Sequence, residues 1–326
     1  MHKDLQYWQF VADVLEQNQN VMVLVVAESS GSSPGRQGYK MAVSENGQLN
    51  GSIGGGVMEV NLVEKSRSML SAGRDGTYRA SLTNQVHRKG DPDSSGMICS
   101  GKQTVIFRLL HPENIDTVRR AIVSILDHNR DVLRLSPDIF SVSKQGDDRS
   151  HENFGLELGG DGDFLYSETL GAKSDLYIIG GGHCALALSE LMSKMDFHIS
   201  LFDDRPDLNT IDKNRFASEI RIIDDYESIG EHIRPATNAY VVVMTLGYRS
   251  DETVIRKLFD KEFKYFGVLG SRAKMGTLLK ALKDDGFPAD KLARIRTPIG
   301  LQINSRTPEE IAVSIAAEII SVKNAD

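Results

Sequence analysis

A chain of 326 residues, 40% hydrophobic and 25% charged, has the length for two domains and the make-up of a globular protein. Its net charge of −7, with no run of lysine or arginine, argues against nucleic-acid binding. The charged opening "MHKDLQYWQFVADVLEQNQN" lacks a signal-peptide core, no apolar run nears the roughly 20 residues of a membrane span, and the two cysteines cannot build a disulfide framework, so a cytoplasmic protein is the simplest reading.

In chain order, Leu5, Trp8, Val11, Ala12 and Leu15 recur at helical spacing. "VMVLVVAES" is β-branched and reads as a buried strand. "GSSPGRQG" is a loop, and the Asn46-Gly47 pair predicts a hairpin turn. "MEVNLVEKSRSMLSAG" predicts a helix, "QTVIFRLL" a strand, and Pro112 opens a helix to about His128. Residues 131–168 are weakly patterned and read as short strands closing an α+β domain. The rhythm then changes. "DLYIIGGG", "FHISLFDD", "EIRIID", "NAYVVVMTLG" and "YFGVLGS" read as strands, most of them followed by helical segments, which predicts a parallel doubly wound sheet. Thr307, Pro308 and Glu310 form a capping-box signature for the closing helix. The reading is α/β: an α+β domain over 1–168, then a Rossmann-like domain over 169–326.

Two glycine triplets stand out. Gly180-x-Gly182-x-x-Ala185 lies between a predicted strand and a predicted helix, and Asp203 and Asp204 end the next strand. That is a dinucleotide-type phosphate loop in context: Gly180, Gly181 and Gly182 offer amides, His183 sits in the first helical turn, and an aspartate stands near a ribose. A Rossmann fold kept only for its shape is the plain alternative. Cys184 beside the helix N-terminus has a position that lowers a thiol pKa, against the plainer role of a small packing residue. Gly54, Gly55 and Gly56 do not fit the same spacing, but they too join strand to helix, where outward amides make an anion site and Glu59 suits the helix dipole. A bare positive-φ connection is the alternative there.

Two apparent motifs fail. "GSSPG" places Ser33 as a hydrolase nucleophile, but the next residue, Pro34, has no N–H for an oxyanion hole. The histidines and cysteines show no zinc spacing.

Taken together, "ESSGSSPGRQGYKM", "NGSIGGGVMEV", "GMICSG", "YIIGGGHCALAL", "LFDDRP", "YVVVMTLGYRSDE", "YFGVLGSRAK" and "TPIGLQI" resemble the xanthine dehydrogenase accessory factor family (XdhC/CoxI) over nearly the whole chain. The resemblance implies a protein that binds molybdenum cofactor, a pterin dithiolene with a phosphate. Such a protein holds the cofactor while its sulfur ligand is installed, with a cysteine desulfurase as the sulfur source. It then delivers the cofactor to a xanthine dehydrogenase-type apoenzyme, a link to purine catabolism by analogy. It also implies a chaperone rather than a turnover enzyme. Val57 stands where relatives often carry Cys or His, Ser100 where Cys-Gly-Gly is usual, and Leu246 and Tyr248 where histidines are common. Cys99 is then the one thiol in a family-like position for molybdenum.

The combined expectation places cofactor contacts at Ser33, Arg36, the Gly54–Gly56 triplet, Glu59 and Cys99. In the Rossmann half it adds the Gly180–Gly182 triplet, His183, Asp203, Asp204, Thr245, Gly270, Ser271 and Arg272, at strand carboxyl ends where open sheets take ligands. The first triplet is expected at that crevice or at a second site. The competing readings are an NAD(P)-dependent oxidoreductase, a nucleotide such as NAD(P) held beside the pterin, and a scaffold without chemistry. A homodimer is also expected.

Overall fold

The computed structural model describes residues 3–72, 80–86, 101–144 and 153–325. The chain divides into two compact units, Met1–Gly171 and Ala172–Asp326, three residues beyond the expected boundary. No described helix is long and apolar enough to cross a membrane.

In the first unit, helix α1 (Lys3–Glu16) leads into β1 (Val21–Gly31), β2 (Lys40–Ser44) and β3 (Leu49–Gly51). Helix α2 (Gly56–Ala72) follows, then β4 (Ser81–Val86), β5 (Gly101–Leu110) and, after a 3₁₀ turn at Pro112–Asn114, α3 (Ile115–Leu126). Strands β6 (Val132–Leu135), β7 (Phe140–Ser143), β8 (Phe154–Leu158) and β9 (Phe164–Thr169) complete it. One antiparallel sheet runs β3-β2-β1-β5-β4 and a second runs β7-β6-β9-β8. β1 is buried on both faces, and strand alternation divides its side chains between two cores. Val21, Val23 and Val25 join α1 and α3, whereas Met22, Leu24 and Val26 meet Met58, Leu62 and Val63 of α2. Between these layers Lys40 and Glu168 form an ion pair at 2.7 Å, with Asp4 at 3.3 Å, although both main partners are almost wholly buried. Burial alone would lower the Lys40 ammonium pKa; the charges of Asp4 and Glu168 reverse that and raise it.

The second unit alternates as its sequence predicts. β10 (Ser174–Ile179), α4 (His183–Met192), β11 (Phe197–Asp203), a short α5 (Asn209–Lys213) and β12 (Glu219–Ile222) form the first half. Then come α6 (Ile229–His232), β13 (Ala236–Val243), α7 (Tyr248–Leu258), β14 (Phe263–Val268), α8 (Arg272–Asp284), α9 (Ala289–Leu292) and α10 (Pro308–Lys323). The sheet is parallel in the order β12-β11-β10-β13-β14, the Rossmann arrangement. α4 and α10 cover one face through Leu188, Ile315 and Ile319, and α7 and α8 the other through Val254, Leu258 and Leu278. Thr307 caps α10 with the expected capping box. Strand order reverses between β10 and β13, so the ligand crevice of such a sheet opens at their carboxyl ends.

Candidate functional site

In the first unit the glycine triplet is shaped by its own neighbourhood. Gly54 has φ +128°, and a Cβ there would stand 2.5 Å from the Gly35 nitrogen, so only glycine lets the two loops touch. Gln103, fully buried on β5, bridges the loops: it accepts from Ser33 Oγ at 2.9 Å and donates to the Ile53 carbonyl at 3.0 Å. Ser33 is thus a buried strut, and Arg36 lies exposed with one nitrogen donating to the Gly31 carbonyl.

Two amides of this triplet are taken within the chain: Gly54 N–H donates to Ser52 Oγ at 3.2 Å and Gly55 N–H to Glu59. Glu59, one turn into α2, returns its Oε2 to the loop and accepts from Ser52 Oγ (2.6 Å), Ile53 N (2.9 Å) and Gly55 N (3.0 Å). Burial works against the ionised Glu59, and the Ser52 hydroxyl and loop amides outweigh it, so the carboxyl titrates below its usual value. The chain thus supplies a carboxylate of its own to the loop just ahead of α2, where an outside anion was expected. Val57 and Val60 lie exposed beside it. Cys99 falls outside the described residues. Among those residues no cluster of three or more His, Cys, Asp or Glu is placed to hold a metal.

The second triplet divides its three amides. Gly180 N–H donates to the Phe202 carbonyl and Gly181 N–H to Asp203 Oδ2. Gly182 N–H, together with the amides of His183 and Cys184, opens α4 with no protein partner among the described residues. Gly180 is at φ +108° with Met244 O 2.3 Å from any added Cβ, while a Cβ on Gly182 meets nothing within 4 Å. The first glycine is therefore structural and the third borders open space, where the helix dipole favours an anion. His183 is exposed in that turn. Burial, then Glu309, pushes the Cys184 thiol upward, so the packing role describes it and the lowered-pKa expectation does not.

Asp203 does not reach for a ribose. Its side chain is wholly buried and accepts from the Arg205 amide, Nε and Nη2 at 2.8–2.9 Å as well as from Gly181. Burial raises its pKa; the Arg205 guanidinium and the two amides more than offset that, and the carboxyl stays below its usual range. Asp204 is the acid left half-exposed at this strand end, 3.7 Å from Arg205 Nε.

Thr245, Gly270 and Ser271 sit at the expected carboxyl ends. Thr245 N–H and Oγ1 both donate to Asp251 Oδ1, and Lys274 Nζ donates to Asp251 Oδ2 at 2.9 Å. Asp251 is fully buried in α7, so it anchors Lys274, which stays about one-third exposed at the crevice rim. The sequence reading missed Asp251, Lys274 and Gln103, because each acts through partners far along the chain. Ser271 caps α8 by accepting from Lys274 N–H, Arg272 Nη2 donates to Gln302, and Arg249 is exposed at the start of α7. The crevice thus combines open helix N-termini on α4 and α7 with cations on α7 and α8.

Comparison with known proteins follows the same division. Residues 176–319 match the XdhC Rossmann domain and 14–80 the XdhC and CoxI family. YqeB of Escherichia coli K12, an uncharacterised protein, is 23% identical over 96% of this chain, which spans only 45% of that relative's length. A probable xanthine dehydrogenase subunit of Bacillus subtilis 168 is 23% identical, with 95% of each chain covered. The molybdenum cofactor insertion chaperone PaoD of E. coli K12 is 23% identical over 96% of this chain and 87% of its own. A crystal structure described as that of a xanthine dehydrogenase from Bacillus halodurans superposes with TM-score 0.70 at 22% identity, covering 99% of this chain and 96% of that one, and shows the same fold. With both halves matched in order and the Rossmann unit built as its sequence predicts, the chain belongs to the XdhC and CoxI family.

Proposed function

We propose that this protein binds molybdenum cofactor and hands it to a xanthine dehydrogenase-type apoenzyme. The observation that carries the proposal is the opening turn of α4: amides of Gly182 and His183 without protein partners, beside a glycine that leaves open space. Such a turn receives a phosphate without bulky side chains or a fixed charge. Arg249 and Arg272, with Lys274 held on Asp251, supply positive charge around it. The relatives support the reading by what they are called, an insertion chaperone and a dehydrogenase subunit.

The group and the residues fit at the second triplet. The first triplet is the poorer fit, because Glu59 already places a carboxylate on the Ile53 and Gly55 amides. When bound, the cofactor brings a molybdenum centre that the recipient enzyme uses. The chain's own part is to grip the phosphate, exclude water from the crevice and release the whole group. Addition of a terminal sulfur by a cysteine desulfurase would act on the cofactor while it is held.

The test is retention of free molybdenum cofactor through gel filtration, read as pterin fluorescence after acid oxidation, for the full chain and Gly182→Glu. The glutamate side chain has room and places a negative charge in the anion site. Retention by the parent and loss in a normally folded Gly182→Glu variant is the expected result. No retention by either, or equal retention by both, rejects the proposal. NADH offered as a competitor distinguishes a nucleotide site: displacement of the pterin by NADH favours the oxidoreductase reading.

A further inference from the structure

The outer edge of β14 is covered over only half its length. Arg296 N–H donates to the Phe266 carbonyl, Val268 N–H donates to the Arg296 carbonyl, and Ile299 N–H donates to the Val268 carbonyl. This segment acts as a short sixth strand beside the carboxyl half of β14. Strand alternation turns the N–H and C=O of Lys264, and the N–H of Phe266, to the same edge. No protein group among the described residues reaches them.

A groove of about 1020 Å³ runs along this uncovered stretch, past Phe263, Lys264, Phe266 and Arg294. It lies at the outer edge and toward the amino ends of the parallel strands, away from the crevice at their carboxyl ends. Its charge opposes that of the chain. Lys291 is spent on Asp260 at 2.8 Å and Arg296 faces Glu318 at 3.5 Å. Lys264 and Arg294 have no acidic partner among the described residues, and Lys261 is held by the carbonyls of Gly230 and Ile233, which leave its charge uncompensated. Glu262 is the one lining acid without a cation among the described residues. Three uncompensated cations against one acid mark this edge on a protein of net charge −7.

We propose that this edge is a docking site for an extended acidic segment of a partner protein, which adds to β14 as a further strand. Main-chain bonds to Lys264 and Phe266 give the register, and Lys264 and Arg294 select glutamate or aspartate at alternate positions. A second copy of this chain is disfavoured, because pairing two such edges brings two positively charged grooves together. The proposal is independent of what the crevice binds.

The probe is a fluorescein-labelled nonapeptide of alternating Glu and Val, titrated by anisotropy into the full chain, beside a Lys/Val peptide and a Glu/Val peptide with proline at its centre. Saturable binding is expected for the acidic peptide alone. It should weaken at least about tenfold in Arg294→Glu, and about as much in Lys264→Pro, which removes one edge amide where proline is tolerated. Thermal melts of both variants should match the parent. The peptide should slow hydrogen exchange at the Lys264 and Phe266 amides, a readout that survives if Lys264→Pro fails to fold. Four results overturn the proposal: no saturation by about 1 mM peptide; equal binding of the proline peptide; displacement of the peptide by inorganic phosphate, which marks a small-anion site; and self-association of the chain that the peptide abolishes.

Discussion

Replacing Glu59 by alanine tests whether the first triplet is closed by its own carboxylate. Three donors converge on one Glu59 oxygen at 2.6–3.0 Å. A hydrogen bond to a charged acceptor contributes about 1.5–3 kcal/mol when shielded. Glu59 is only half-buried, so water replaces much of what is lost, and about 2 kcal/mol for the whole set is the reasoned figure. For a unit of this size that corresponds to a fall of about 4–8 °C in Tm. Glu59→Gln keeps an acceptor without the charge and should lose about half as much. The carboxyl titrates below its ordinary value of 4.5, so its contribution is fully present above that value. It is lost as pH falls through the lowered native value. Urea unfolding of parent and Glu59→Ala should therefore separate at neutral pH and converge in acid. Equal midpoints at pH 7, or a gap that persists in strong acid, would refute the argument.

Three further outcomes follow from other contacts. Gly180→Ala drives a Cβ to within 2.3 Å of Met244 O at a positive φ, and should cost about 3 kcal/mol in calorimetry, making it a folding variant rather than a binding probe. Lys40→Ala leaves Glu168 charged and buried and should lose about 3–5 kcal/mol by denaturant titration, whereas Lys40→Met with Glu168→Gln should recover most of it. Asp203→Asn should destabilise the Rossmann unit by about 2–3 kcal/mol at neutral pH. Because the Asp203 pKa is depressed from 3.8, that difference should be complete above this value and vanish as the native carboxyl protonates below it.

The architecture of the second unit was legible because its signals are local and agree. β-branched runs, glycine turns, and caps at Ser271 and Thr307 each report on neighbours within a few residues. The four short strands after α3 were harder, since Ser, Glu and Gly on a half-exposed sheet blur the alternation. β4 was not read at all, and neither were the short helices α5, α6 and α9, which are too brief for a period to register. At the candidate site, residue types alone did not show which partners each acid meets. Glu59 and Asp203 read as acids available to a ligand, yet each is spent on the backbone it stands beside. Nothing in a linear string distinguishes a carboxylate that awaits a ligand from one that has already found amides. Gln103, which joins Ser33 to Ile53, acts across separations of 70 and 50 residues, beyond any local pattern.

The short ring made by Gly181, Asp203 and Arg205 bears on how anything leaves the crevice. Because internal bonds set the bend of this turn, an incoming anion meets a receptor that is already formed, and little ordering entropy is lost on arrival. The same rigidity means that departure cannot be triggered by letting the turn melt. If the crevice holds a cofactor as proposed, whatever empties it would have to compete for the guest directly, and the timing of release would rest with the acceptor rather than with the holder.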